Sequence, residues 1–593
     1  MIDQFLAYLK KEQALNIQKV RELSSLSVEG VEERGLMIDN ATFVITKFLK
    51  SDGYGCLHLP YNETKLKRGE NFMLKAKDNS RWEVKAEVLG MGEDKLWFQL
   101  GYNPGGQYAL NDLDDGTSMR LTLIPFDAVD KVREAFINME GNTAAEHWLK
   151  QLMTPNGIQL PELEITALQR KQVADLEDQL GRSLNSSQRQ VLLKCLSLPK
   201  IMGIQGPPGT GKTDVLGQLI YLLLQAGKSV NIIGFTHQSV NNALSEVFDK
   251  FPALNVVKLG SADKNEGLSA GVKIQSARYA HRGAQSLFGL TYYGALYHHQ
   301  KVKADVLIVD EAGQLPLTLA ATMASWGAES LLFFGDQRQM EPIFDEGMAD
   351  DPFSCSILTH LEKYHPNTLL AFDTTYRMNS TLARWVGELF YPSGKTNKEV
   401  PTFLKASAFN HDREFQLSTT FAEPWASIFS KAPLVWVDSC DQFARQINQD
   451  EAAFLVQLII KALEGGMSIK DIAVVIPFRK QILEVQNQLS KYLKVKHQPL
   501  IDTVEKIQGQ SVEMVIVGYT AADPEYVADI GQFIFSANRL NVAISRAKTK
   551  VIFLCSPNLL KGVPATWDDL MMQKNLRKLR EGADVRTCTD QFK

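Results

Sequence analysis

Residues Gly206–Thr213 read GPPGTGKT, the spacing G-x-x-x-x-G-K-[ST]. Glycines at those places let backbone N–H groups of a turn approach an oligophosphate. The lysine then reaches the β/γ oxygens and the final hydroxyl can ligate Mg²⁺. The stretch follows an apolar run, KIMGIQG, and precedes a helical one. Gly206, Pro207, Pro208, Gly209, Thr210, Gly211, Lys212 and Thr213 are therefore expected to cradle phosphates. A second apolar run, VLIVDEAG, ends in Asp310 and Glu311. Downstream of such a cradle, Asp310 is expected to hold Mg²⁺ with Thr213, and Glu311 to polarise an attacking water. Either feature alone is weak; in this order they predict hydrolysis of a nucleoside triphosphate. A third stretch, SANRLNVAISRAKTKVIF, carries Arg539 and Arg546 seven residues apart. That is about two helical turns, which predicts two guanidinium groups on one helix face with apolar neighbours between them.

These residues need a scaffold. The chain has 593 residues, 45% hydrophobic and 22% charged, an ordinary globular composition long enough for three or four domains. A formal net charge of −4 advertises no bulk attraction to polyanions, although a local groove can be basic on a neutral protein. The six cysteines are scattered without a C-x-x-C pair, which argues against a zinc module and fits a reducing compartment. The N-terminus, MIDQFLAYLKKEQ, is charged and amphipathic, unlike a signal peptide. No apolar run approaches the ~18 residues of a membrane span. A cytoplasmic protein, nuclear if eukaryotic, is expected, with no membrane partner.

Residues 1–180 place Phe5, Leu6, Leu9, Ile17, Val20 and Leu23 at helical spacing, then change to period two from about residue 40. FVITKFL, FMLKAK, RWEVKAEVLGMGEDKLWFQLGY and SMRLTLIPF predict a small barrel over about 28–125, followed by a helix near Phe126–Met139. Lys65, Lys67 and Arg68 are candidate backbone contacts there, or a solvated turn. From residue 181 continuously apolar strands alternate with helices, first to about 365 and again over 366–593. The expected fold class is α/β, with two tandem doubly wound P-loop domains preceded by a β-barrel carried on two helices.

The remaining motifs are ordered. FFGDQRQMEP holds Gln339, TTYRMNS holds Tyr376 and Arg377, and DTVEKIQGQ holds Thr503; the arginine pair follows. In this order they resemble superfamily 1 helicases. The likeness is to the 5′–3′ branch containing the nonsense-mediated-decay helicase, the immunoglobulin-mu-binding helicase and the helicase half of the replication helicase–nuclease. It covers about residues 181–560, and the N-terminal third more loosely. The resemblance implies two RecA-like domains with ATP bound between them. Gln188 would contact adenine and Tyr376 stack on it, unless that ring simply packs beside a core helix. Gln339 would couple the γ-phosphate to the strand side, with Arg377 and Arg546 as finger arginines. Thr236, His237, Ser239 and Asn241 would contact the strand from the first domain, and Pro477 and Thr503 from the second. Arg539 would support its helix or the strand side, or form a salt bridge within the second domain. The cofactors implied are ATP and Mg²⁺, the partner single-stranded DNA or RNA, and the activity 5′–3′ translocation or unwinding. An ATP-gated clamp that binds without unwinding is the alternative. Thr375 stands where the family has Gln, Ser511 where it has an acidic residue, and Ser261–Gln285 looks short for the family's inserted subdomain.

Overall fold

The computed structural model describes residues 1–25, 37–45, 53–59, 71–77, 82–92, 94–100, 110, 113–123, 128–160, 165–261, 264–277, 280, 286–391, 404–494, 497–562 and 567–587. They form two compact units, 1–140 with 345–349, and 141–344 with 350–593.

In the first unit a closed antiparallel barrel runs through strands Met37–Val44, Tyr54–His58, Lys95–Leu100, Glu83–Met91, Asn71–Ala76 and Ser118–Leu123, in that spatial order. The period-two pattern is the cause: Val84, Ala86 and Val88 point inward while Glu83 and Lys85 face water. Phe72 and Phe98 meet edge to face at 6.0 Å inside. The strand Tyr54–His58, unmarked in the sequence reading, carries Gly55, where a Cβ would stand 2.2 Å from the Phe98 ring. Only glycine lets these two strands close over that side chain. The helices Ile2–Ser25 and Val129–Ile137 meet through stacked Phe5 and Phe136, 4.6 Å between centroids. Ile17, expected on the buried stripe, is 48% exposed, whereas Tyr8 is buried. Lys65, Lys67 and Arg68 lie outside the described residues.

The second unit contains two tandem RecA-like parallel sheets. Across the first the order is Lys273–Gln275, Asn255–Leu259, Ser286–Thr291, Val230–Gly234, Val306–Asp310, Ser330–Gly335, Ile201–Gln205 and Leu369–Ala371. Across the second it is Leu500–Asp502, Ile472–Val475, Val512–Gly518, Ala547–Cys555, Leu434–Asp438 and Asp584–Thr587. The central strands are buried along their whole length because helices cover both faces, which is why they read as unbroken apolar runs rather than alternations. A short parallel pair, Thr374–Thr375 with Lys405–Ala406, lies on the segment between the sheets. His360 and His365 both hydrogen-bond the Leu152 carbonyl through Nε2, at 2.9 and 2.6 Å, fixing the helix Thr143–Met153 within this unit.

Candidate active site and strand-facing residues

The phosphate loop joins the strand Ile201–Gln205 to the helix Lys212–Gln225. Gly209 and Gly211 have φ of +73° and +78°, a region side chains avoid, and the turn leads directly into the helix N-terminus. A Cβ at Gly209 would also lie 2.5 Å from the Arg377 Cβ. Thr210 Oγ1 donates to the Pro207 carbonyl at 2.8 Å and ties the loop internally. Thr213 follows Lys212 in the first helical turn.

Two strands away, Val306–Asp310 delivers the acidic pair. Lys212 Nζ lies 3.1 Å from Asp310 and 2.7 Å from Glu311. Burial works against the ammonium charge, but the two carboxylates outweigh it and hold its pKa above the ordinary range. Burial raises the Asp310 carboxyl, with Lys212 opposing. Glu311 occupies the left-handed region at φ +57°, strained backbone for a side chain of this size. Its backbone N–H donates to Asp310 Oδ1 at 2.9 Å, which fixes the Asp310 carboxylate.

The segment carrying Thr375–Arg377 is laced onto the loop. Thr375 Oγ1 donates to the Pro208 carbonyl at 2.9 Å and accepts the Arg377 N–H at 3.3 Å, while Tyr376 N–H donates to Gly209 at 2.7 Å. The departure from the family's Gln at 375 thus keeps a polar tie with a shorter side chain. Arg377 Nη1 donates to the Ser545 carbonyl at 2.8 Å, reaching the second sheet's domain. Arg546, 3% exposed, donates from Nη2 to Gln339 Oε1 at 3.0 Å and from Nε to the Val542 carbonyl at 3.2 Å. Burial, then the neighbouring Arg546, pulls the Arg377 guanidinium down to about 9. Burial likewise lowers Arg546 to about 10. Two desolvated cations side by side make a strong anion attractor.

The expected single helix face is corrected. The helix Ala537–Ile544 ends before Arg546, with Ser545 as its C-cap, so the two arginines diverge. Arg539 pairs with Glu505 at 3.0 Å and lies over the Phe533 ring, the salt bridge within the domain that was one of its alternatives.

Gln339 also donates to Asp336 Oδ2 at 2.7 Å. Two residues that the sequence reading missed complete this junction. Tyr391 OH donates to Asp336 Oδ2 at 2.5 Å, and Asn541 Nδ2 donates to Tyr391 OH at 2.9 Å and to the Arg338 carbonyl at 2.6 Å. Asp336 caps a strand of the first sheet and Asn541 sits on a helix of the second domain, so this chain of hydrogen bonds crosses the cleft. Their signal was the polar residues inside apolar runs, Tyr391 closing GELFY and Asn541 inside RLNVA.

Gln188 is buried. Its Oε1 accepts the Asn185 N–H and its Nε2 donates to the Thr210 carbonyl, so its amide braces both a capping box and the phosphate loop. Tyr376 is 47% exposed, the ring open to solvent and its hydroxyl accepting from Asn185, which disfavours the packed-core alternative. On the expected strand side, Thr236 is exposed and caps the helix His237–Lys250 with Ser239 at N3. His237 and Ser239 are half-buried beside it. Asn241 is corrected: it is 1% exposed and its amide donates to the Lys264 and Glu266 carbonyls, so it braces that loop from within. Pro477 and Thr503 are half-buried and line one cleft of the second domain.

Two family models, each described as an AAA domain, match residues 183–355 and 353–558. The DNA replication ATP-dependent helicase/nuclease dna2 of Schizosaccharomyces pombe is 26% identical over 410 residues, covering 65% of this chain and 28% of that protein. The human helicase/nuclease of the same name is 27% identical over 414 residues, covering 64% and 38%. The chain therefore spans well under half the length of these relatives. The crystal structure of an arterivirus nonstructural protein 10 (helicase) aligns over 88% of this chain and 78% of that one, at 12% identity and a TM-score of 0.38. Among the described residues no helix is long and apolar enough to cross a membrane. The order of motifs across two RecA-like sheets and the similarity to these helicase/nucleases agree with the resemblance to superfamily 1 helicases.

Proposed function

We propose that this chain hydrolyses ATP in the cleft between its two RecA-like domains and uses the cycle to move along single-stranded DNA or RNA, 5′ to 3′ as the family resemblance implies. One observation carries the reading. Lys212, Asp310 and Glu311 lie in the first domain, Arg377 beside the phosphate loop reaches the Ser545 carbonyl of the second, and Arg546 is hydrogen-bonded across the cleft to Gln339. Lysine, loop N–H groups and both arginines converge on the position a γ-phosphate would take, where charge develops during phosphoryl transfer. ATP phosphates would compete with Glu311 for the Lys212 ammonium. That releases the Glu311 carboxylate to orient a water and accept its proton. Thr213 and Asp310 are hard oxygen donors suited to Mg²⁺ alongside phosphate oxygens. Bound there, Mg²⁺ would neutralise charge on the β/γ oxygens.

Because Arg546 belongs to the far side of the cleft, and Arg377 on the phosphate-loop side already reaches the Ser545 carbonyl across it, closure depends on the γ-phosphate. Its loss removes their partner and lets the cleft reopen. The Asp336–Gln339–Arg546 and Asp336–Tyr391–Asn541 bonds give that movement a direct mechanical link between the two domains. Thr236, His237, Ser239, Pro477 and Thr503 are the proposed strand contacts. Steady-state ATPase with and without single strands, together with unwinding of 5′- and 3′-tailed duplexes, tests the reading. Strand stimulation with unwinding of the 5′-tailed duplex supports it. Strand stimulation without unwinding on either substrate would instead favour an ATP-gated clamp.

A further inference from the structure

The stretch LNSSQ opens the helix Ser186–Leu196, and its spacing makes Asn185 and Gln188 a capping box. Asn185 Oδ1 accepts the Gln188 N–H at 2.8 Å, and Gln188 Oε1 accepts the Asn185 N–H at 3.2 Å. Gln188 Nε2 donates to the Thr210 carbonyl in the phosphate loop at 3.1 Å. The side chain is 5% exposed, and a Cβ at Gly211 would lie 3.1 Å from that nitrogen, so the loop closes tightly on the amide. Its oxygen is committed to the helix start and its nitrogen to the loop. The neighbours are committed in the same way. Asn185 Nδ2 donates to the Tyr376 hydroxyl at 2.9 Å. Ser187 Oγ lies 2.9 Å from Asp373 Oδ1 and 2.8 Å from Asn185 Oδ1, which joins the helix start to the segment carrying Tyr376. What this corner leaves open is the Tyr376 ring, 47% exposed. A ring offers a flat face and reads no pattern of donors and acceptors.

We infer that this corner holds a nucleobase by stacking alone, and that the substrate is a nucleoside triphosphate whatever its base. To read the N6 and N7 edge of adenine, Gln188 would have to release Asn185 or Thr210. It would exchange existing bonds for new ones of similar strength, and the phosphate loop or the helix start would lose its brace with the triphosphate in place. An amide with both atoms available discriminates adenine by about 5- to 150-fold. Here the bonds broken offset that advantage. Stacking is tolerant of base identity, because every base has a π-face. Gln188 thereby becomes a positioning residue for the phosphate loop, in place of the adenine contact that the family resemblance implies. The inference rests on the proposed hydrolysis in the cleft and widens its substrate beyond ATP.

The test is steady-state hydrolysis of ATP, GTP, CTP and UTP by the full chain with Mg²⁺. The kcat/KM for each of the other three should fall within about tenfold of that for ATP. Gln188→Ala should lower kcat by one common factor for all four, because the loop brace goes, and should leave the ATP-to-GTP ratio unchanged. Tyr376→Ala should raise KM about tenfold for every triphosphate, the scale of one lost stack, whereas Tyr376→Phe, which keeps the ring, should not. A wild-type preference for ATP above about tenfold would overturn the inference while leaving hydrolysis in the cleft intact. An ATP-to-GTP ratio that drops in Gln188→Ala would also overturn it, since the amide would then be the reader of adenine. If that variant fails to fold, Tyr376→Ala decides: a KM raised for ATP alone would equally overturn the inference. Hydrolysis of none of the four would remove the phosphate-loop reading and this inference together.

Discussion

Replacing Arg546 by Gln separates the chemistry of the cleft from its stability. Burial pulls this guanidinium from 12.5 to about 10. At about 1.36 kcal/mol per pH unit, keeping the charge inside the ATP-free protein costs about 3 kcal/mol at neutral pH. Opposing that cost are its hydrogen bonds to the Val542 carbonyl, Gln339 Oε1 and Ser545 Oγ, at 3.2, 3.0 and 3.5 Å. At about 1 kcal/mol each they return a similar sum. Arg546→Gln should therefore alter the unfolding free energy by no more than about 1 kcal/mol. Its effect on turnover should be far larger, about 10³-fold or more, because a finger arginine acts on charge that appears only in the transition state. Arg546→Lys should not restore the rate fully, since a point charge cannot replace a planar fork already engaged with Gln339. Urea unfolding and steady-state ATPase, run on the same preparations, read both quantities. A stability loss of 3–5 kcal/mol, as for breaking a buried ion pair, with turnover reduced less than tenfold, would refute the assignment and make Arg546 a structural residue.

Glu311→Gln should retain Mg·ATP binding and lose hydrolysis, because Lys212, Thr213 and Asp310 remain; turnover near the wild-type rate would remove Glu311 from the chemistry. Tyr391→Phe deletes the donor to the buried Asp336 carboxyl and the acceptor of Asn541. Thermal or denaturant unfolding should show a loss of about 2 kcal/mol, as for a hydrogen bond to a charged group, and an unchanged midpoint would mean that the junction carries no load. Burial lowers the His360 imidazole from 6.5 to about 4. The unfolded chain therefore takes up that proton first as pH falls, and stability should decline between about 6.5 and 4 by about 3 kcal/mol. A His360→Gln variant, whose amide can still donate to Leu152, should show a flatter pH profile over that window.

What could be read from the sequence tracks what burial imposes. The central strands, enclosed on both faces, had to be apolar throughout and stood out as IMGIQ, VNIIG and VLIVD. The strand Asn255–Leu259 did not, because it carries Lys258, whose ammonium is buried against the Lys264 carbonyl. Leu500–Asp502 and Asp584–Thr587 lie at sheet edges and are short and mixed in character. The phosphate loop was legible because backbone geometry demands glycine at fixed places. The Arg539–Arg546 pairing misled because spacing assumes a helix that continues, whereas this one stops at Ile544. Asn241 misled for a related reason: a motif position gives a residue type but not its direction, and here the amide turns inward. Tyr391 and Asn541 were hidden because their partners, Asp336 and Arg338, are remote in sequence and meet them only across the cleft.

The most direct test of the two-domain motor is the ATPase rate of the full chain with Mg·ATP at low salt, measured alone and with increasing single-stranded DNA or RNA. Closure that depends on both γ-phosphate and strand predicts a saturable rise in turnover. Added salt should weaken the apparent affinity steeply, because phosphate contacts dominate such binding. A rate indifferent to both nucleic acids, from a protein that hydrolyses ATP, would contradict the account and turn attention to a small-molecule substrate.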